Sequence, residues 1–272
     1  MSASNVAGSF NVAKFGGTSV ANFEAMSRCA AIIENNSNTK LVVSSACSGV
    51  TNLLVELANG VQDKARRQDL MTQLTDIHNA ILDQLADPIS IEKDVHCILD
   101  DIASAAEAAS FQASTKLTDH LVACGELMST HILAQIIRER GTPAVRFDIR
   151  EVMRTNDDFG KAEPQLEEIS VLAKEQLIPL CQQQVVVTQG FIGSDAHGQT
   201  TTLGRGGSDY SAALLAEAVN AKSVHIWTDV VGIFSTDPRL CAKATPIARL
   251  SFDEAAEMAT FGAKVLHPAT IL

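Results

Sequence analysis

The sequence predicts an α/β protein with a mostly parallel central sheet sandwiched by helices. Three observations predict it. Short apolar runs of strand length recur between longer stretches whose apolar residues follow helical spacing. Each run ends in a loop rich in glycine, hydroxyls or a lone charge, as strand ends do where such sheets bind ligands. No internal repeat, linker or low-complexity segment interrupts the 272 residues.

Taken in order, residues 11–15 form the first strand, and Gly16-Gly17-Thr18-Ser19 turns it into a helix over about 20–34. Lys14 stands before the glycines, at the strand end, so this is not a Walker A loop. Residues 40–45 form a second buried strand, followed by a small-residue turn over 46–51. From about 51 to 140 the pattern is nearly all helical, with breaks near Gly60, Asp87-Pro88 and Ser114-Thr115. Glu126 lies inside it, beside Gly125, in an apolar run. A solvated helix carboxylate is the ordinary reading of such a residue. Its apolar neighbours on both sides argue instead that it faces inward, towards a cation.

Residues 143–148 form the third strand, and 154–164 a polar loop. Its letters Asp158-Phe159-Gly160 are coincidence, because the other protein-kinase signatures are missing. Residues 184–190 form the fourth strand and 195–199 a hairpin tip. Residues 222–227 form the fifth strand, which enters a long turn-rich loop at Thr228. Ser251-Phe-Asp-Glu254 is a capping box that opens a helix to about Thr260.

Residues 200–209, TTTLGRGGSD, concentrate hydroxyls, glycines, Arg205 and Asp209 at the start of a helix. Free helix N–H groups and the dipole would point back at this loop. It reads as an anion seat with Arg205 as a forked partner. An ordinary glycine turn capped by Ser208 is the alternative.

Net charge is −11 and the isoelectric point about 5.0, which argues against nucleic-acid binding. An acidic chain that holds anions must concentrate its cations. Lys14, Arg205, Arg239 and Lys264 all fall in or beside turn-like segments. With Glu126, Asp209 and Asp229 they suit a phosphoryl donor and a small zwitterionic acceptor, for which positioning and charge stabilisation matter most. The six cysteines form no C-x-x-C pair and read as reduced thiols of a cytoplasmic protein. The seven histidines show no metal-ligand spacing, so no protein-held metal is expected. No signal peptide and no apolar run of membrane-spanning length is visible, so no membrane partner is expected.

Several stretches together carry a family resemblance. They are KFGGTSV at 14–20, RTN at 154–156, TTLGRGGSDY at 201–210, WTD at 227–229, TDPR at 236–239 and EMATFGAKVLHP at 257–268. The chain resembles the aspartate kinases of the amino acid kinase family. The middle segment, with LTD at 117–119 and GELMS at 125–129, resembles the lysine-sensitive monofunctional branch. The resemblance implies the amino acid kinase fold and transfer of the γ-phosphoryl of ATP to the side-chain carboxylate of L-aspartate. ATP would arrive with Mg²⁺.

It further implies Lys14 and Asp209 as catalytic residues, Asp209 orienting active-site lysines. Ser45, Thr51, Glu126, Arg205 and Ser208 would bind the acceptor, with Arg205 on its α-carboxylate and Glu126 on its α-ammonium. Lys14, Gly16, Gly17, Thr228, Asp229, Phe234, Arg239 and Lys264 would bind nucleotide. Phe234 departs from the tyrosine of many relatives, which removes a phenol hydrogen bond. Residues 1–272 would be the catalytic domain, cut short at its C-terminus and lacking the ACT-type regulatory domains. A homodimer and a lysine effector are expected only of the longer enzyme. Two other readings remain: a non-catalytic domain that binds nucleotide or aspartate or serves assembly, and a kinase of another amino acid such as glutamate.

Overall fold

A computed structural model of the chain describes residues 10–204, 206–260 and 270. The chain opens with β1 (Asn11–Phe15), a 3₁₀ turn over Gly17–Val20 and α1 (Phe23–Glu34). β2 (Thr39–Ser44) leads into α2 (Val50–Ala58), α3 (Lys64–Leu82), α4 (Ile89–Phe111) and α5 (Thr115–Glu139). Then come β3 (Ala144–Phe147), α6 (Leu166–Leu172), α7 (Ile178–Gln183) and β4 (Val185–Gln189). The antiparallel hairpin of β5 (Ile192–Ser194) and β6 (Thr200–Thr202) precedes α8 (Gly207–Ala218), β7 (Ser223–Trp227) and α9 (Phe252–Thr260).

Five strands form one parallel sheet in the order β3-β4-β2-β1-β7. Side chains alternate across it with the period of two that a strand imposes. Val12, Leu41, Val43 and Val186 point to the layer of α6, α7 and α8. Ala13, Phe15, Val42 and Val187 point to the layer of α1 to α5. Helices on both faces are why β1, β2 and β4 read as continuous apolar runs.

The helix breaks fall where the sequence places them. Gly60 is left-handed after α2, at φ 82°. The side chains of Asp63 and Ser114 cap α3 and α5, and Ser251 and Glu254 form the capping box of α9. Two expectations need correction. The first helix starts at Phe23, not near Val20, because Gly17–Val20 winds as 3₁₀ and Asn22 caps the true N-terminus through Ala25 N–H. And α5 does reach the length and apolarity of a membrane span. With 89% of that window buried inside the protein, it is the core helix between the sheet and α2 and α4.

Candidate active site

A cleft of about 500 Å³ opens beyond the C-terminal ends of β1, β2, β4 and β7. Parallel strands bring their following turns to one edge, and these turns line it. Lys14, Gly16 and Gly17 come from β1, Ser45 and its turn from β2, Phe191 from β4, and Thr228 from β7. The start of α8 contributes Gly204, Gly206, Gly207, Ser208 and Asp209, and the middle of α5 contributes Glu126.

Lys14 points to the same sheet face as Val12 and Val43, the face that α8 covers. Its Nζ therefore meets Asp209 Oδ1 at 2.7 Å, in the first turn of α8. There the helix dipole favours a carboxylate. Both side chains are largely buried. The pair leaves two of the lysine's three donors for a ligand.

The turns around Lys14 are packed closely. A Cβ on Gly17 would stand 3.1 Å from the Ala46 carbonyl, so the turns after β1 and β2 touch backbone to backbone. A Cβ on Gly190 would meet Ser208 at 2.8 Å, which brings the end of β4 against the first turn of α8. Ser45 N–H donates to the Phe15 carbonyl, and Ser129 of α5 donates its hydroxyl to the Ser45 carbonyl at 2.7 Å.

Of the two described cleft carboxylates, Asp209 is paired with Lys14, and Glu126 forms no ion pair with a described residue. Glu126 is 3% exposed. It accepts a hydrogen bond from the Ala46 backbone N–H, while Oε2 has no partner among the described residues. Burial pushes its carboxyl up to about 8, against the smaller opposing effects of the Ala46 N–H and Lys14. The inward orientation argued from its apolar neighbours is what the structure shows. Such an acid awaits a cation that would hold it ionised.

Not all of the stretch 200–209 reaches the cleft. Thr200, Thr201 and Thr202 form β6, and their hydroxyls are already engaged. Arg150 donates to Thr200, Thr155 pairs with Thr201 at 2.7 Å, and Thr202 donates to Asp119. Only the part from Gly204 onward faces the cleft. Gly204 and Gly206 take φ of 75° and 79°, where a side chain is strained.

Of the remaining expected residues, Thr51 and Thr228 line the cleft. Asp229, Phe234 and Arg239 are not among its lining residues. Asp229 accepts a bond from the Thr228 hydroxyl, Phe234 bridges to Pro246, and Arg239 forms an exposed pair with Asp237 at 2.7 Å. Arg205 and Lys264 lie outside the described residues. Phe191 is a lining residue that sequence reasoning missed. It holds φ 71°, rare for a side-chain-bearing residue, with its N–H donated to Ser211 Oγ. Its ring sits where a Cβ of Gly207 would come within 2.8 Å. Only its place between two glycines after a strand hinted at this.

Asp101, His120 and Cys124 also converge, their ligand atoms within 4.8 Å. His120 Nε2 meets Asp101 Oδ2 at 2.8 Å, and the Cys124 thiol donates to the His120 carbonyl, its pKa pushed up to about 12 by burial. None of the three lines the cleft.

Parallel sheet, helices on both faces and a polar cleft at the strand ends, with a largely buried lysine–aspartate pair, define an α/β protein of the kind whose sheet edge carries the ligand site. A profile of the amino acid kinase family matches residues 9–272, and the chain belongs to that family. It is 54% identical over 261 residues to the lysine-sensitive aspartokinase 3 of Escherichia coli K12, covering 96% of this chain and 58% of that protein. The solved E. coli aspartokinase III in complex with aspartate and ADP, in its R-state, superposes with a TM-score of 0.94 at 54% identity. That match covers 97% of this chain and 59% of the other. The same enzyme with lysine and aspartate, in the T-state, gives 0.91 at 53% identity over 96% and 59%. The chain thus spans a little under three-fifths of the length of these E. coli relatives.

Proposed function

We propose that this chain carries the catalytic domain of an aspartate kinase, which transfers the γ-phosphoryl group of ATP to the side-chain carboxylate of L-aspartate. The observation that carries the reading is that Lys14 and Glu126 line one cleft. One is a cation placed for phosphoryl oxygens, the other a buried acid with an unpartnered oxygen placed for an ammonium. The similarity to an enzyme solved with aspartate and ADP supports it.

The acceptor carboxylate has an ordinary pKa of about 3.9 and is ionised at neutral pH, so the reaction needs no general base. Its obstacle is repulsion between two anions. Lys14 Nζ, with Asp209 fixing its direction, offsets charge on the transferring group. Gly16 and Gly17 leave the backbone open to phosphate oxygens. Glu126 receives the α-ammonium and ionises as it does so. Arg205 takes the α-carboxylate, while Ser45, Thr51 and Ser208 offer hydroxyls. Thr228, Asp229, Phe234, Arg239 and Lys264 hold the nucleotide.

The described cleft carboxylates are Glu126 and Asp209, one shifted towards its protonated form and the other engaged by Lys14. That donor set fits a Mg²⁺ carried on phosphate oxygens rather than in a protein cage. When bound, the ion neutralises phosphate charge. Coupled ADP release with aspartate, ATP and Mg²⁺ tests the proposal. Turnover with aspartate and none with glutamate is expected. Nucleotide and aspartate binding without turnover would refute it.

A further inference from the structure

Asp119 is 1% exposed, yet no cation among the described residues partners it. Its carboxylate accepts three bonds from neutral donors. Oδ2 takes the backbone N–H of Gly160 at 2.8 Å and of Thr202 at 2.9 Å, and Oδ1 takes the Thr202 hydroxyl at 2.8 Å. The Thr202 carbonyl accepts from Ala162 N–H at 2.8 Å, so the end of β6 is gripped on both sides. Next in the chain, Leu203 N–H donates to the Phe191 carbonyl. Beyond that anchor runs the glycine turn that lines the cleft, with left-handed Gly204 and Gly206. Such a turn has little stiffness of its own. Its place depends on two anchors, Thr202 before it and the first turn of α8, packed on Gly190 and Phe191, after it.

Asp119 also shares its helix with Glu126, seven residues later. Seven residues rotate a helix by almost two full turns, so both lie on nearly one face, about 10 Å apart along the axis. A single rigid element therefore references both sides of the acceptor pocket. We infer that Asp119 is a positioning residue. It holds the 203–208 turn at a set separation from Glu126, and that separation selects the length of the amino dicarboxylic acceptor. The inference rests on the cleft taking an amino-acid acceptor, as proposed above.

The test titrates L-aspartate and L-glutamate by calorimetry into the chain saturated with a non-hydrolysable ATP analogue and Mg²⁺. Asp119→Ala leaves three donors without their acceptor, the two of Thr202 buried, so aspartate affinity should fall by about 10- to 100-fold. Nucleotide affinity should stay within about twofold, and preference for aspartate over glutamate should shrink. Asp119→Asn retains an oxygen for the two N–H groups and can donate to the Thr202 hydroxyl, and should restore most of the loss. Thr202→Val removes only the hydroxyl bond and should fall between. If Asp119→Ala does not fold, Thr202→Val decides: weaker aspartate binding at unchanged nucleotide affinity supports the inference, and unchanged binding overturns it. A folded Asp119→Ala with normal aspartate affinity and selectivity, or with nucleotide affinity lost in parallel, overturns it as well. An unmodified chain that binds neither amino acid refutes the kinase reading, and the inference falls with it. Failure in the variants alone leaves that reading standing.

Discussion

The floor and the rim of the cleft are built in different ways. On the floor, Lys14 comes from β1, Ser45 from the turn after β2, Glu126 from α5, and Ser208 and Asp209 from the start of α8. Their positions follow from the sheet register and from backbone contacts at Gly17, Gly125 and Gly190. On the rim after β7, side chains bond mostly to neighbours close in sequence. Arg239 pairs with Asp237, Thr228 with Asp229, and Ser251 with Glu254. Long-range packing fixes the floor before any ligand arrives, whereas the rim's side-chain bonds among the described residues are mostly local in sequence. Preorganised charge is where electrostatic catalysis draws its strength, so the largest effects belong on the floor.

Lys14→Ala should show the difference at its greatest. On the proposed function it removes the cation that offsets charge on the transferring group, and it strands the Asp209 carboxylate, so kcat should drop by at least about 10³-fold. Asp209→Asn keeps the lysine but loosens its aim, and should cost less. Coupled ADP release measures both. Near-normal turnover in Lys14→Ala would mean that the floor is not where the chemistry is supported.

Glu126→Gln comes next, and it separates function from stability. Aspartate affinity should fall by about 100-fold, since a neutral amide replaces the partner of the ammonium. Stability should move the other way. Unfolded, the glutamate ionises near its ordinary value of 4.5; folded, only near about 8. Between those values the folded chain binds more protons, so each rise in pH weakens it. Glutamine removes that penalty. Thermal melts should show a Tm gain for Glu126→Gln that grows from pH 5 to pH 8 and then levels off. A gain that is flat with pH would show that Glu126 is already ionised in the empty cleft.

A smaller effect is expected from Gly125→Ala. The new Cβ would come within 2.8 Å of Ala46 Cβ and 3.1 Å of Val50 Cγ1. Overpacking of this kind costs about 1–3 kcal/mol, readable from urea denaturation. It should also weaken aspartate binding, because the displaced turn carries Ser45 and the N–H that Glu126 uses. Lost stability with intact aspartate affinity would show that the turn is less rigidly tied to α5 than its packing implies.

The same contrast explains what could be read from residue order alone. The strand and helix sequence was legible, because apolar period, glycines and caps such as Asp63 and Ser114 act locally. Lys14, Glu126 and Asp209 were legible because a charge inside an apolar or glycine-rich stretch is conspicuous. Asp119 and Phe191 were not. The role of Asp119 lies in bonds to Gly160 and Thr202, many residues away, and that of Phe191 in a backbone angle. The threonines of β6 misled for a related reason. Hydroxyls beside glycines resemble an anion loop, but whether they are free depends on what the fold sets against them.

The mildest change sharpens the comparison from the rim. Arg239 is largely exposed, and its guanidinium is already engaged by Asp237, which raises its pKa further. A nucleotide must compete with that carboxylate for the fork, and exposed pairs are weak and screened by salt. Arg239→Ala should therefore raise the KM for ATP by only about 3- to 10-fold, less at high ionic strength, while kcat and Tm hold. Asp237→Asn should lower that KM, if anything, because it releases the arginine. Loss of turnover comparable to Lys14→Ala would place Arg239 among the preorganised groups, and the rim would then be as much a part of the built site as the floor.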